Sequence, residues 1–264
     1  MAKQMLASDL DNTLIYSYKQ DIGRDKVLVE TMEDKELSFM TRKSWELLRD
    51  LREEILFVPV STRSADQYRR ICFFPDWTPD FALVSNGGTL LTGGKEDPEW
   101  RAETEERMRD AADELWDARR RMEEDPDRNF EVRLVDGLFL FTKSSHPEQS
   151  LSRLKEEKYS RLNVYRNGSK IYALPQSLEK GAAVRRLQER TGCPEIWSAG
   201  DSEFDLPLLE AADLAFFPQA LRPLVDRDPE RCVTAGEGEL LSDVLLMTVQ
   251  ALLHGEKEGK TIRR

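Results

Sequence analysis

Short apolar runs punctuate the 264-residue chain, separated by stretches whose apolar residues recur every three or four positions. Met5-Leu6-Ala7, Ile55 to Val60 and Phe81 to Val84 have the length and composition of buried strands. Pro59 stands against the second of these, because proline withholds a ladder hydrogen bond. Thr41 can cap a helix carrying Trp45, Leu47, Leu48 and Leu51. Val27-Leu28-Val29 and Leu37-Ser38-Phe39 flank Met32-Glu33-Asp34-Lys35 as a hairpin, and a further helix is expected from Ala65 to Cys72. From Leu178 the β-α rhythm returns, with a helix over Lys180 to Thr191, strands at 195–199, 213–217 and 231–234, and a last helix from Leu240 to Leu253. The tail after His254 reads as disordered.

Between these halves the pattern changes. After Leu90-Leu91 and Gly93-Gly94, Glu99 to Glu124 reads as one long charged helix with an apolar stripe of Met108, Ala111, Ala112, Leu115, Trp116 and Met122. Strands at 130–135 and 138–142 surround Asp136-Gly137, a strong hairpin signal. Pro147 to Glu157 reads as a helix, and strands at 162–166 and 170–174 flank Asn167-Gly168. The order α-β-β-α-β-β is antiparallel in character, unlike what surrounds it. The pattern thus predicts an α/β fold: a doubly wound, Rossmann-like parallel sheet formed by 1–94 and 175–264, with 95–174 inserted as an α+β cap.

Composition narrows the function. A hydrophobic fraction of 39% with 34% charged residues fits a globular protein. The net charge of −11 argues against a nucleic-acid surface and would repel an anionic substrate, unless a metal and local cations reverse the sign. There is no apolar run of about 18 residues to cross a membrane. The first strand starts so near Met1 that no signal peptide is expected, and a cytoplasmic location follows as the default. Cys72, Cys193 and Cys232 show neither disulfide nor zinc spacing and are expected to be buried filler.

Candidate chemistry gathers at strand ends, where parallel sheets place ligands. Asp9 and Asp11 follow the first strand and Ser61-Thr62-Arg63 the second. Lys180 opens the helix after the insert, and Gly200-Asp201-Ser202-Glu203-Phe204-Asp205 follows Ile196-Trp197-Ser198-Ala199. Singly, Ser61 could cap a helix, Lys180 sit at the surface and Asp201 occupy a turn. Jointly they form the parts of a phosphoryl-transfer site.

Asp9-x-Asp11-x-Thr13-Leu14 after an N-terminal strand resembles the first motif of the haloacid dehalogenase (HAD) superfamily. The motif order and Ser85-Asn86-Gly87-Gly88 at the insertion point resemble its phosphatases with a type C2 cap. The compact cap and Gly200-Asp201-Ser202 are most similar to the sucrose-phosphate and mannosylglycerate-phosphate phosphatase branch. The resemblance covers nearly the whole chain and implies a Mg²⁺-dependent phosphatase of a small phosphorylated metabolite, a sugar phosphate first of all. It implies Asp9 as nucleophile, Asp11 as acid and base with a raised proton affinity, and Ser61, Thr62 and Lys180 around the phosphoryl group. Mg²⁺ would be held by Asp9, Asp201 and the Asp11 carbonyl, with Asp205 orienting the site or reaching the metal through water. Arg63, Asn86, Gly87 and Gly88 are expected near the substrate, and Arg133, Lys143, Arg166 and Lys170 of the cap could meet a second anionic group.

Two departures stand out. Thr62 replaces the glycine common in the second motif, and Phe204 replaces the asparagine common in the fourth. A phosphomutase shares the first half-reaction, and a non-catalytic sugar-phosphate sensor would share the fold. A signalling receiver domain uses similar groups, but it is shorter, has no insert, and phosphorylates an aspartate after the third strand, where Ser85-Asn86 stands here.

Overall fold

The computed structural model of the protein describes residues 3–255, so the tail expected to be disordered lies outside the described residues apart from Gly255, which ends the last helix. Five parallel strands form the central sheet in the order Cys232–Ala235, Leu214–Pro218, Ile196–Ala199, Met5–Ser8, Leu56–Pro59. Every residue of Met5–Ser8 is buried. Side chains alternate across a strand, so Met5 and Ala7 face a layer built on Val184, Leu187, Leu208 and Leu209. Leu6 faces the opposite layer, where Leu48 and Leu51 meet Leu245, Leu246 and Val249. Helices therefore cover both faces, as unbroken apolar strands in a parallel sheet require.

Pro59 does sit in a strand, and the pairing shows how. The Leu56 and Val60 amides donate to Gln4 and Ser8, on the side of Met5–Ser8. Alternation turns the Pro59 nitrogen to the other edge, towards Phe81–Val84. There the ladder is reduced to a single bridge, Val60 to Leu83. Phe81–Val84 instead pairs antiparallel with Thr89–Thr92, which pairs with Lys95–Glu96.

Lys26–Met32 and Lys35–Thr41 form the expected hairpin, turning at Glu33 and Asp34 with φ of 49° and 63°, and Tyr16–Ser17 adds a third strand. The register shifts around Leu28 and Glu30, and Val29 and Glu30, adjacent in sequence, are both buried. The helix expected over Ala65 to Cys72 stops at Tyr68. The hairpin takes over the following residues: Ile71 bridges Glu30, and the Cys72 amide donates to Val29. Cys72 is exposed and the other two cysteines are only partly buried, so they are not the buried filler expected.

In the insert, four antiparallel strands run in the order Leu162–Asn167, Lys170–Pro175, Phe139–Lys143, Arg133–Val135. Their Leu140, Ile171 and Ala173 pack against Ala118, Met122 and Leu154 of the helices Ala112–Glu124 and Pro147–Glu156. Phe139, Phe141 and Tyr172 face the other way, towards the central sheet's strand ends. The long helix expected from Glu99 is two helices, Pro98–Met108 and Ala112–Glu124, joined by a 3₁₀ turn. The break has a cause in packing: Trp100 is buried in the core of the central sheet, whereas Ala118 and Met122 belong to the core of the insert. The apolar stripe is also narrower than expected. Ala111, Leu115, Ala118 and Met122 share one face, while Ala112 and Trp116, one step round the helix, are exposed. The last hairpin turns at Gly168-Ser169, because Asn167 itself pairs with Lys170.

Candidate active site

Asp9 leaves the end of Met5–Ser8 with its amide bonded to the Ala199 carbonyl at 2.9 Å, which fixes it beside the loop that follows Ile196–Ala199. The chain then folds into a tight loop in which the Thr13, Leu14 and Ile15 amides all donate to the Leu10 carbonyl. Lys180 is the first residue of the helix Lys180–Thr191, and its ammonium reaches back under the strand ends. It donates to Asp9 Oδ1 and to Asp205 Oδ1, each at 2.6 Å. The second oxygen of Asp205 accepts from the Asp201 and Ser202 amides and the Ser202 hydroxyl. Gly200 makes this fold-back possible, since a Cβ there would collide with the Asp205 side chain.

Asp9, Asp201 and Asp205 each offer a carboxylate oxygen within 4.8 Å of the others. One ammonium among three acids leaves negative charge uncompensated. Burial raises the Asp9 proton affinity well above the usual carboxylate range, helped by Asp205 and Asp201 and opposed by Lys180. Asp201 is pushed up to about 7, first by burial and then by Asp205, although a hydrogen bond from Asn12 pulls the other way. Burial would lower the Lys180 affinity, but Asp205 and Asp9 hold it above the ordinary lysine value. A hard divalent cation such as Mg²⁺ fits this donor set, because carboxylate oxygens are its preferred ligands and the excess charge is negative. Both Asp205 oxygens are already engaged, so Asp9 and Asp201 are the direct carboxylate donors this arrangement leaves.

Asp11 differs from expectation. Arg63 grips it with two hydrogen bonds, Nε to Oδ2 at 2.8 Å and a terminal nitrogen to Oδ1 at 2.7 Å. Its surroundings would raise its proton affinity, yet Arg63 outweighs them and holds it below the usual range, the opposite of the rise expected for an acid and base. Arg63 is anchored from behind by Glu30, a buried carboxylate 2.9 Å away that also meets Arg70 at 3.1 Å and accepts from Ser38 at 2.6 Å. Glu30 was not among the expected site residues. No sequence signal marks it: alternation after Val29 would turn residue 30 outward, and only the register shift beside it brings Glu30 inside. Asn12, also not expected, takes φ of 63°, a conformation asparagine tolerates, and lines the small cavity with Asp201.

Two contiguous cavities meet here. A small one of about 50 Å³ is lined by Asp9, Asp11, Thr62, Lys180 and Asp201, together with Phe204 and other neighbours. A larger one of about 660 Å³ opens from it between Arg63 and the aromatic face of the insert. Thr62 lines both, whereas Ser61 lies beneath with its hydroxyl accepting from the Arg63 amide at 3.2 Å.

Asn86, Gly87 and Gly88 line neither cavity. Asn86 Nδ2 donates to the Leu178 carbonyl at 2.8 Å, and the Gly87 carbonyl accepts from Trp100. A Cβ on Gly87 would strike Ala183, and one on Gly88 would strike Leu138 and Leu178. These three residues pack the junction of core and insert rather than the substrate space. Ser85 beside them, at φ of 52°, donates to Asp136 in the first hairpin turn of the insert, and Asp136 also accepts from the Ala65 amide at 3.0 Å. Phe204 packs at a tilt against Tyr165 and edge-on against Tyr172, with ring centroids 4.8 and 4.9 Å away. The aromatic residue in place of the common asparagine is thus a contact between core and insert.

This fold and this convergence of acids and a buried lysine define a HAD-type phosphomonoester hydrolase. The chain belongs to the sucrose-6F-phosphate phosphohydrolase family, whose model matches residues 2–216. Among solved structures, the sucrose-phosphatase of Synechocystis, determined with sucrose and phosphate, is similar over 95% of this chain and 98% of its own, at 19% identity and a TM-score of 0.65. A trehalose-6-phosphate phosphatase related protein is similar over 96% of this chain and 100% of its own, at 15% identity and a TM-score of 0.52. A haloacid dehalogenase-like hydrolase from Bacillus subtilis is similar over 96% of this chain and 93% of its own, at 12% identity and a TM-score of 0.51. No curated protein sequence matches the chain.

Proposed function

We propose that the protein is a Mg²⁺-dependent phosphatase of a small sugar phosphate that works through an aspartyl-phosphate on Asp9. The observation that carries this is the buried Lys180, bonded at 2.6 Å to both Asp9 and Asp205 and lining a cavity together with Asp11, Thr62 and Asp201. Asp9 and Asp201 would hold Mg²⁺, which when bound supplies the positive charge that lets a carboxylate approach a phosphate dianion. In the first step an Asp9 carboxylate oxygen forms a bond to phosphorus as the bond to the sugar oxygen breaks. Lys180 and Thr62 would hold phosphoryl oxygens as charge builds on them.

Asp11 would give the departing sugar oxygen its proton and then take one from the water that hydrolyses the aspartyl-phosphate. Its grip by Arg63 sets a condition on that role: Arg63 must loosen before Asp11 can carry a proton. An arriving phosphoryl group competes for the same guanidinium and supplies that release.

The test is phosphate release from p-nitrophenyl phosphate and a panel of sugar phosphates, with Mg²⁺ and with EDTA, for the wild type and Asp9→Asn. Turnover should need Mg²⁺ and fall by roughly 10³-fold or more in the variant, as expected when a nucleophile is lost. Turnover that survives Asp9→Asn would overturn the assignment.

A further inference from the structure

The larger cavity has the wrong sign for this chain. The molecule carries a net charge of −11, yet Arg63, Arg70, Arg133 and Lys170 face only Asp11 and Asp136 across that space. Most of these groups are already matched. Arg63 is held by Asp11 and Glu30, Arg70 by Glu30, Arg133 by Glu131 at 2.5 Å, and Asp136 by Ser85 and the Ala65 amide. Arg166, another basic residue of these strands, is paired with Glu148.

Lys170 is not matched. In the antiparallel pairing of Phe139–Lys143 with Lys170–Pro175 it stands directly opposite Lys143. Residues so opposed share a face, so both lysines lie on the face that carries Phe139, Phe141 and Tyr172, with Lys170 in the cavity lining and Lys143 beside it. Among the described residues, no carboxylate lies within 4.0 Å of either ammonium. Lys143 instead rests over the Phe130 ring, 4.9 Å from its centroid. Burial lowers the proton affinity of Lys170, Asp11 opposes that fall, and Lys143 and Arg63 add to it.

Like charges directly opposed on a sheet destabilise the free protein. Sugar hydroxyls can be bound by neutral amides and hydroxyls without that penalty, whereas an anion removes it. We propose that Lys143 and Lys170 form a distal anion subsite, and that the preferred substrate carries a second anionic group, a carboxylate or a second phosphate, besides the phosphoryl group placed at Asp9. This rests on the phosphatase reading for where the first phosphoryl group lies. The aromatic face between the two ends accommodates the carbon skeleton.

The experiment is titration calorimetry in EDTA, where binding is read without Mg²⁺-dependent turnover, on the wild type and the Lys143→Gln/Lys170→Gln double variant. The carboxylate arm compares 6-phosphogluconate with glucose 6-phosphate, and the phosphate arm compares fructose 1,6-bisphosphate with fructose 6-phosphate. In at least one arm the doubly anionic ligand should bind the wild type about tenfold more tightly, as expected for charge-assisted contacts, and the advantage should shrink to less than about twofold in the double variant. The arm that shows the advantage identifies the anion. The double variant should melt no lower than the wild type, since its substitutions remove a repulsion. Equal binding within both pairs for the wild type, or an advantage that persists in the double variant, would overturn the proposal. Failure of the phosphatase reading looks different: no phosphate released from any ligand in Mg²⁺, with the binding advantage intact.

Discussion

Lys180 is almost wholly excluded from solvent, and its ammonium is shared between two carboxylates with a third close by. A buried charge is tolerated only when it is paired and hydrogen-bonded; Asp9 and Asp205 keep the lysine charged, and the lysine offsets part of the repulsion among the acids. Removing the lysine alone strands the acids. Lys180→Met should therefore cost about 3–5 kcal/mol in a denaturant melt at neutral pH, the range for breaking a buried pair. The loss should shrink as the pH is lowered, because the stranded carboxylates can then take up protons. A pH-independent loss would mean that packing of the lysine stem, and not its charge, holds the site. At the same scale, the Glu30-Arg63-Asp11 chain shows how a charge outside the expected motifs reaches a carboxylate of the candidate site. Glu30 fixes one edge of the guanidinium, and Arg63 presents the other to Asp11.

At the scale of elements, two of the contacts between insert and core come from different parts of the sequence. One is the Asp136 turn, bonded to Ser85 and Ala65, and the other is Phe204 against Tyr165 and Tyr172. Aromatic pairs of this geometry contribute about 0.5–1.5 kcal/mol beyond the area they bury. Phe204→Ala should therefore loosen the insert without unfolding either part. Hydrogen exchange is the measurement: amides of Leu162–Asn167 and Lys170–Pro175 should exchange several-fold faster, while those of Met5–Ser8 keep their protection. Equal acceleration in both places would show that Phe204 supports the core fold rather than the closure of the insert.

For the molecule as a whole, the excess of acid at the site couples stability to pH and, where the proposed cation binds, would couple it to metal. Asp201 titrates at about 7 in the folded chain against an ordinary value of 3.8. Below both values it is protonated folded or unfolded and has no effect. As pH rises between them the unfolded chain ionises first, so the metal-free protein loses stability from about pH 4 to about pH 7, and the loss then levels off. A divalent cation that binds the ionised carboxylates stabilises the folded form by mass action. The melting temperature gained on adding Mg²⁺ should therefore be larger at pH 8 than at pH 5, and EDTA should reverse it. A gain independent of pH would place the cation elsewhere than at Asp9 and Asp201.

The sequence by itself determined the elements and their alternation. Strands such as Met5–Ser8 and Ile196–Ala199, the Asp136-Gly137 turn, and the return of the β-α rhythm at Lys180 are set by near neighbours: side-chain period, backbone preference and capping. The motif residues were legible for the same reason, since the acids and Ser61 to Arg63 follow strands whose ends are marked locally and Lys180 opens a helix. Tertiary structure decided what depends on residues far apart in the chain. It ended the helix at Tyr68 by pairing Ile71 with Glu30, broke the helix after Met108 so that two cores could each take their share, and placed Asn86 to Gly88 in the core-insert junction. It also reversed the expected proton affinity of Asp11. That value is set by the Arg63 guanidinium, 52 positions away, and no local pattern encodes a charge brought in from that distance.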